Sequence, residues 1–380
     1  MKITDVKTFV VGNPWKNWLF VKVYTDEGIT GLGESTGGLS TRPYEADVQE
    51  LRRFVIDEDP LQPEALWQKM FKARYAKASN GMTGIELACW DILGKSLAVP
   101  VWKLLGGRLR ASLRVYANGW YKCPRDPQCF ATAAKALVEK GYTAMKFDPF
   151  GGAYLCMNRQ DERTSIAIVE AVRETVGPDI DILIEAHDRF SVPYAVRIGT
   201  LLEPYDPMWL ETPVHSADIE ANLEVARRIR VPVALGERFS WLKDFTELLT
   251  ARSVGIVQPE VMHLGFANLK KVCGMAEAYG ALVACHQAQS PYCTAVNAHM
   301  HAVIPNFLIQ ENFDDSFEPW TWDVLSGVPR VQDGYLPVPD SPGFGVELNE
   351  EEAAKHPYGE QNFMNLFAEG WEQRIGGSKG

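Results

Sequence analysis

After Arg110 the chain repeats one pattern eight times, a short apolar run followed by a longer amphipathic stretch. The runs are Leu113–Ala117, Ala144–Asp148, Asp181–Glu185, Pro207–Glu211, Val233–Glu237, Val254–Gln258, Ala281–Cys285 and Asn306–Glu311. Between them, stretches such as Ala131–Lys140, Thr164–Val176, Ile219–Ile229, Phe245–Arg252 and Leu269–Tyr279 carry helical spacing. Strands that alternate with helices lie parallel, because each crossover returns the chain to the same end of the sheet. Eight such units in roughly 200 residues predict an α/β fold built on a closed (β/α)8 barrel of the TIM type rather than an open sheet.

The first 110 residues read differently. Residues 3–11 and 18–24 are apolar and β-branched, and Gly28, Gly31 and Gly33 punctuate a further short strand ending near Glu34, which predicts an antiparallel meander. From Pro43 to Lys103 the pattern turns helical and closes at Gly106-Gly107. This predicts an N-terminal α+β domain over 1–110 and a barrel over 111–332, with the turn-rich residues 333–380 completing the first domain. The tail Gly376-Gly377-Ser378-Lys379-Gly380 is expected to be disordered.

Charge and composition narrow the function. Asp and Glu outnumber Lys and Arg by 49 to 38, a net charge of −11, which argues against nucleic acid as the main partner. It leaves an anionic small molecule open, since a bound cation reverses the local potential. No run approaches the roughly 18 apolar residues of a membrane helix. Met1-Lys2-Ile3-Thr4-Asp5-Val6 has an early acid and no apolar core, so no secretory leader is expected. Seven Cys without a CxxC pair read as reduced thiols of a cytoplasmic protein. Aromatics in an antiparallel N-terminal domain make a homo-oligomer the expected state.

The acids fall where they matter. Glu185, Glu211 and Glu237 end the third, fourth and fifth runs, each 26 residues after the last. The C-terminal ends of barrel strands form the floor of the active site, so these carboxylates should converge. Unpaired they would repel and take up protons; a divalent cation resolves that, and all-oxygen ligation suits Mg²⁺. His187 lies two residues past Glu185, and His286 follows the seventh run. Glu260, two beyond Gln258 on the neighbouring strand, is placed to bond His286 and raise its basicity. Lys146 should point toward the mouth, with Asp148 one pleat further on and Glu311 ending the eighth run.

Other signals are weaker. Gly28-x-x-Gly31-x-Gly33 has Thr36 where a dinucleotide fingerprint needs its last glycine, and reads as a turn. Cys285 faces away from its neighbour His286 and reads as a buried thiol. His299 and His301 read as packing or surface residues. His215 and His263 follow the fourth and sixth strand ends, within reach of a substrate.

These residues resemble the mandelate-racemase branch of the enolase superfamily, over essentially the whole chain. The resemblance is carried by Gly84-Ile85-Glu86-Leu87-Ala88-Cys89-Trp90-Asp91 through Lys95, by Pro100-Val101-Trp102-Lys103-Leu104-Leu105-Gly106-Gly107, and by Glu211-Thr212-Pro213, Gly236-Glu237-Arg238 and Gln258-Pro259-Glu260. Val115-Tyr116-Ala117-Asn118-Gly119-Trp120-Tyr121 and Lys146-Phe147-Asp148-Pro149-Phe150-Gly151 look closest to gluconate- and galactonate-type sugar-acid dehydratases. The resemblance implies Mg²⁺ on Glu185, Glu211 and Glu237, His286 with Glu260 as the base, and His187 as the acid. Lys146 would add positive charge against the substrate carboxylate, and a protonated Glu311 would donate to its other oxygen. The resemblance also implies that the N-terminal domain caps the pocket through loops near Asn13–Trp18 and Gly37–Tyr44. Trp15 and Trp18, which by residue type read as core or interface, lie in the first of these loops and are counted with Arg238 as substrate contacts; Arg238 is equally placed to pair with a barrel acid.

Two positions depart from the family pattern: Glu260 stands where Asp is usual, and Asp148 stands where racemases carry a second Lys. The latter favours dehydration, in which one base and one acid suffice. The expected function is removal of the C2 proton and the C3 hydroxyl of an aldonic acid, giving a 2-keto-3-deoxy acid. The alternatives are a hydroxy-acid racemase or epimerase using both imidazoles as bases, or a binding protein that has lost turnover.

Overall fold

Strands β1 (Ile3–Asn13) and β2 (Lys16–Thr25) form an antiparallel hairpin whose pairing runs from Ile3 with Thr25 to Asn13 with Lys16. Pro14 and Trp15 make its tip, so Trp18, expected in a loop, sits inside a strand. β3 (Thr30–Glu34) pairs with β2 and completes the sheet. Helices α1 (Thr41–Val55), α2 (Pro63–Ala73) and α3 (Asn80–Ser96) follow, α3 starting where the Ser79 hydroxyl accepts the Met82 N–H at 3.3 Å. A Cβ at Gly31 would overlap the carbonyl oxygen of Ala88, and one at Gly33 that of Gly84. Those glycines let α3 lie directly on β3; of the three glycines read as a turn, Gly28 at φ 79° makes it. The computed structural model describes residues 1–373, and the tail expected to be disordered lies outside the described residues.

Eight parallel strands follow: β4 (Ser112–Ala117), β5 (Ala144–Phe147), β6 (Asp181–Glu185), β7 (Trp209–Glu211), β8 (Val233–Leu235), β9 (Ile256–Val257), β10 (Leu282–Val283) and β11 (Gln310–Asn312). Consecutive strands pair from β4 to β10, β11 pairs with β4, and a parallel bridge between Val283 and Phe307 closes the ring. The expected (β/α)8 barrel is therefore the fold.

One side chain from each strand, or from the residue next to it, fills the centre: Tyr116, Ala144, Leu183, Trp209, Ala234, Ile256, Ala284 and Ile309 make one buried cluster. Small residues sit opposite large ones, as a tapering interior requires. This layer fixes the phase of every strand, since side chains two residues further on point the same way.

The N-terminal domain docks on the barrel through α3. Glu86, buried there, accepts the N–H groups of Phe266 and Ala267 at 2.9 Å each, satisfying the start of helix Phe266–Tyr279. Its pKa is pushed up to about 7 by burial, against those bonds. The chain's end returns to both parts: Tyr335–Pro337 pairs antiparallel with β4, and the Gly12 N–H donates to the His356 carbonyl at 2.8 Å. Among the described residues no helix is long and apolar enough to cross a membrane. The reading of seven reduced thiols needs one correction: Cys123 and Cys129, six residues apart with Cα atoms at 6.4 Å, form a disulfide at the start of helix Pro127–Glu139.

Candidate active site

Two residues above the central layer, the same period delivers the polar floor. Lys146 follows Ala144, Glu185 follows Leu183, Glu211 follows Trp209, His286 follows Ala284, Glu311 follows Ile309 and Asn118 follows Tyr116. On β8 the phase breaks. Gly236, at a φ of 133° that side chains avoid, turns the chain so that Glu237 faces inward instead. Glu185 and Glu211 are register partners on β6 and β7, and with Glu237 they bring one oxygen each within 4.8 Å of one another.

The floor is short of positive charge. The Lys146 ammonium lies 2.6 Å from Glu211, 2.9 Å from Glu311 and 3.2 Å from Glu185, all of them buried. One ammonium thus serves three acids, while Glu237 lies beside Arg238 and His286. Burial and then the charge of Glu211 push the pKa of Glu185 well above the usual carboxylate range. Burial opposes ionisation of Glu211 as well, but Lys146 and the bond to Glu185 hold its pKa below normal. Such a set, all oxygen and unable to ionise fully on its own, fits a hard divalent cation. Glu311, expected as a donor to the substrate carboxylate, sits among donors of the protein itself. Its oxygens accept from Lys146, from the Asn118 amide at 2.7 Å and from the Gln287 N–H at 2.7 Å, because it is ringed by donors on three sides.

The two imidazoles face each other by topology: His187 follows β6 and His286 follows β10, four strands apart in a ring of eight. Each is bonded through Nδ1 to a buried carboxylate at 2.6 Å, His187 to Asp148 and His286 to Glu260. His187 and the following Asp188 take left-handed backbone angles, φ 46° and 61°. This is strain of the kind that clusters where a side chain must be aimed. The His187 N–H donates to Glu185 at 2.8 Å, tying the turn to the acid floor. His286 Nε2 lies 3.4 Å from Glu237. Burial disfavours the imidazolium of His286, but the charge of Glu237 and the bond to Glu260 outweigh it and push the pKa up to about 9. Glu260, one carbon longer than the family's Asp, reaches the ring and also accepts the Met262 N–H at 3.0 Å.

A cavity of about 400 Å³ opens above this floor, lined by Lys146, Asp148, Glu185, Glu237 and both imidazoles. Trp15, stacked on Phe313 at 5.3 Å, lines it, as do Arg238 and His263. Arg238 also pairs with Asp188 at 2.6 Å and Glu237 at 3.3 Å, the acid pairing that the sequence left open. Trp18 is a correction: it is fully buried and packs edge-on against Phe317 at 5.1 Å, because its strand position points it into the core. His215 is exposed and outside the cavity lining, held by the Ala217 N–H at 3.2 Å. His299 and His301 are buried away from the mouth.

Three contributors escape the sequence. Lys16, beside Trp15, reaches the Ala288 carbonyl at 2.6 Å and lines the cavity. Arg189 stands behind Asp148 at 2.7 Å. The C-terminal residues Phe363, Met364, Leu366 and Trp371 form one wall. Lys16 was detectable, as a cation next to a hairpin-tip aromatic. The others depend on contacts too remote in sequence to leave a local mark.

Residues 7–106 match the mandelate racemase / muconate lactonizing enzyme N-terminal domain model, and residues 129–353 match the enolase C-terminal domain-like model. A D-gluconate/D-galactonate dehydratase of Picrophilus torridus is 34% identical over 367 residues, which cover 94% of this chain and 93% of that protein. A D-gluconate dehydratase of Thermoproteus tenax is 35% identical over 349 residues, 90% of this chain and 70% of that one. The crystal structure of a mandelate racemase/muconate lactonizing enzyme from Sulfitobacter sp. aligns with a TM-score of 0.89 at 31% identity, covering 97% of this chain and 98% of that chain.

Proposed function

The chain belongs to the enolase superfamily, in its mandelate racemase/muconate lactonizing enzyme group, and from that premise we propose that it is a Mg²⁺-dependent dehydratase of a sugar acid such as gluconate or galactonate. The observation that carries the reading is the pair of opposed imidazoles, each seated on a buried carboxylate, above a convergent acid triad.

Glu185, Glu211 and Glu237 would hold the metal. Mg²⁺ bound there supplies fixed positive charge to the substrate carboxylate as negative charge builds on it. Lys146 adds a second positive charge at the floor. His286 takes the C2 proton through Nε2 while Glu260 fixes the ring through Nδ1. Glu237, the carboxylate that does most to keep this ring protonated, is also a proposed cation ligand. A cation held there would offset the charge of Glu237, and Nε2 is the ring nitrogen left to accept a proton. The C2–H electron pair delocalises into the carboxylate as an enediolate, then returns to form the C2–C3 double bond. As it does so the C3–O bond breaks, and that oxygen takes the proton of His187 and leaves as water. The resulting enol tautomerises to the 2-keto-3-deoxy acid. Trp15, Arg238 and His263 would contact the rest of the substrate, and a cavity of about 400 Å³ suits a five- or six-carbon acid.

The test is a panel of five- and six-carbon sugar acids incubated with Mg²⁺. The expected result is keto-acid formation from at least one member, lost on chelation and restored by Mg²⁺. Loss of optical rotation without a keto acid would favour racemisation by the same two imidazoles. Turnover that survives chelation would overturn the metal assignment.

A further inference from the structure

We infer that Arg189 is a positioning residue for the water-expelling half of the reaction, tying the His187–Asp148 pair to the chain's C-terminal segment; the inference rests on the dehydratase reading above. Arg189 is fully buried, an uncommon place for a guanidinium. Its Nη2 donates to Asp148 Oδ2 at 2.7 Å and to the Leu366 carbonyl at 2.7 Å, and its Nε lies 3.3 Å from the same Asp148 oxygen. The ring of Phe367 lies 4.8 Å from the guanidinium carbon and that of Trp371 5.9 Å.

The shared atom is the point of the arrangement. Asp148 Oδ2 also takes the His187 Nδ1 contact at 2.6 Å, while Oδ1 accepts the Phe150 N–H at 2.9 Å. A planar fork on a buried carboxylate fixes where that oxygen sits, and so where the imidazole bonded to it must lie. The same Nη2 holds the segment that walls the cavity. Leu366 and Trp371 line it, and the Trp371 ring meets that of His187 edge-on at 6.1 Å. The segment between 364 and 370 has neither helix nor strand, so its place depends on side-chain ties of this kind. Among the described residues the opposite imidazole has no such link to the C-terminal segment. Glu260 takes its other contacts from the Met262 N–H at 3.0 Å, on the short helix Val261–Leu264, and the Gln289 amide at 3.5 Å, on the loop after β10. Arg189 therefore bears on departure of the C3 hydroxyl and not on removal of the C2 proton.

The experiment measures, in heavy water with Mg²⁺ and a sugar acid the enzyme turns over, keto-acid formation and deuterium entry at C2 of recovered substrate. For Arg189→Met, keto-acid turnover should fall about 100-fold. KM should stay near the wild-type value, and deuterium entry should persist and rise relative to product. Arg189→Lys keeps the charge but loses the Nε contact and the planar donor geometry, and should fall between wild type and Arg189→Met. Phe367→Ala removes an exposed ring and should shift the same ratio by a smaller amount. An equal fall in exchange and elimination in a folded Arg189→Met overturns the inference. If that variant does not fold, an unchanged ratio in Phe367→Ala overturns it. A wild-type enzyme that neither exchanges nor eliminates on any sugar acid instead removes the dehydratase reading beneath it.

Discussion

The β6 side and the β10 side of the barrel mouth carry the same unit, an imidazole held through Nδ1 by a buried carboxylate at 2.6 Å. They differ in what surrounds that unit. Behind Asp148 stands the Arg189 guanidinium, whose charge, together with the His187 bond, outweighs burial and holds the Asp148 pKa below its ordinary value. Behind Glu260 stand a backbone N–H and an amide, and in front of His286 lies a second carboxylate, Glu237. A carboxylate shared with a guanidinium has less charge to lend its imidazole than one that is not shared. Two residues of one type on one floor are thus set apart by their neighbours, and this difference supports the proposal that the proton is removed on the β10 side and donated on the β6 side.

The largest effect should come from the floor that both sides share. Glu211→Gln removes a proposed cation ligand and the nearest partner of Lys146, and should lower keto-acid formation more than about 1000-fold. Calorimetry should show Mg²⁺ binding lost with it; an active variant that still binds Mg²⁺ would detach the comparison from its metal.

The comparison itself is broken or kept by a matched pair. Glu260→Gln should slow C2 exchange and elimination together, by about 100-fold. Asp148→Asn should slow elimination by a similar factor and leave exchange standing. If the two variants give the same ratio of exchange to elimination in heavy water, the two sides do not divide the work.

Most of the floor was legible because the features that set it are local. Glu185, Glu211 and Glu311 end apolar runs, and a period of two carries their side chains inward with the central layer. Glu237 was found because it too ends an apolar run, although the period of two does not carry it inward: its strand stops at Leu235 and Gly236 does the turning. Strand lengths were overread on the later strands. Only Ile256–Val257 and Leu282–Val283 stay in the ladder, because the flanking apolar residues have already turned toward helices. Trp18 was misplaced because a two-residue hairpin turn was read as a loop. Arg189 was invisible: an Arg after a strand reads as solvent-exposed, and its burial depends on Asp148 and Leu366, 41 and 177 residues away.

The smallest effect sharpens the comparison from outside the mouth. His299 and His301 lie on helix Pro291–Val303 with both ring nitrogens bonded to neutral groups. His299 accepts the Trp102 N–H and donates to the Phe344 carbonyl; His301 accepts the Cys285 N–H and donates to the Gln310 side chain. Burial, with no carboxylate bonded to either ring, pushes each pKa down to about 4 from an ordinary 6.5. In that window the unfolded chain binds protons that the folded chain refuses. Stability should therefore be complete above pH 6.5 and fall as pH drops toward 4, by up to about 3 kcal/mol for each ring. His299→Gln and His301→Gln should flatten the Tm slope between those limits; an unchanged slope would mean that these rings do not carry it.

The division of labour is tested most directly at His286. In His286→Asn, followed by NMR in heavy water with Mg²⁺ and a sugar acid that the wild-type enzyme dehydrates, deuterium entry at C2 and keto-acid formation should both vanish while Mg²⁺ affinity persists. Exchange at C2 continuing at the wild-type rate would place the base elsewhere and contradict the account.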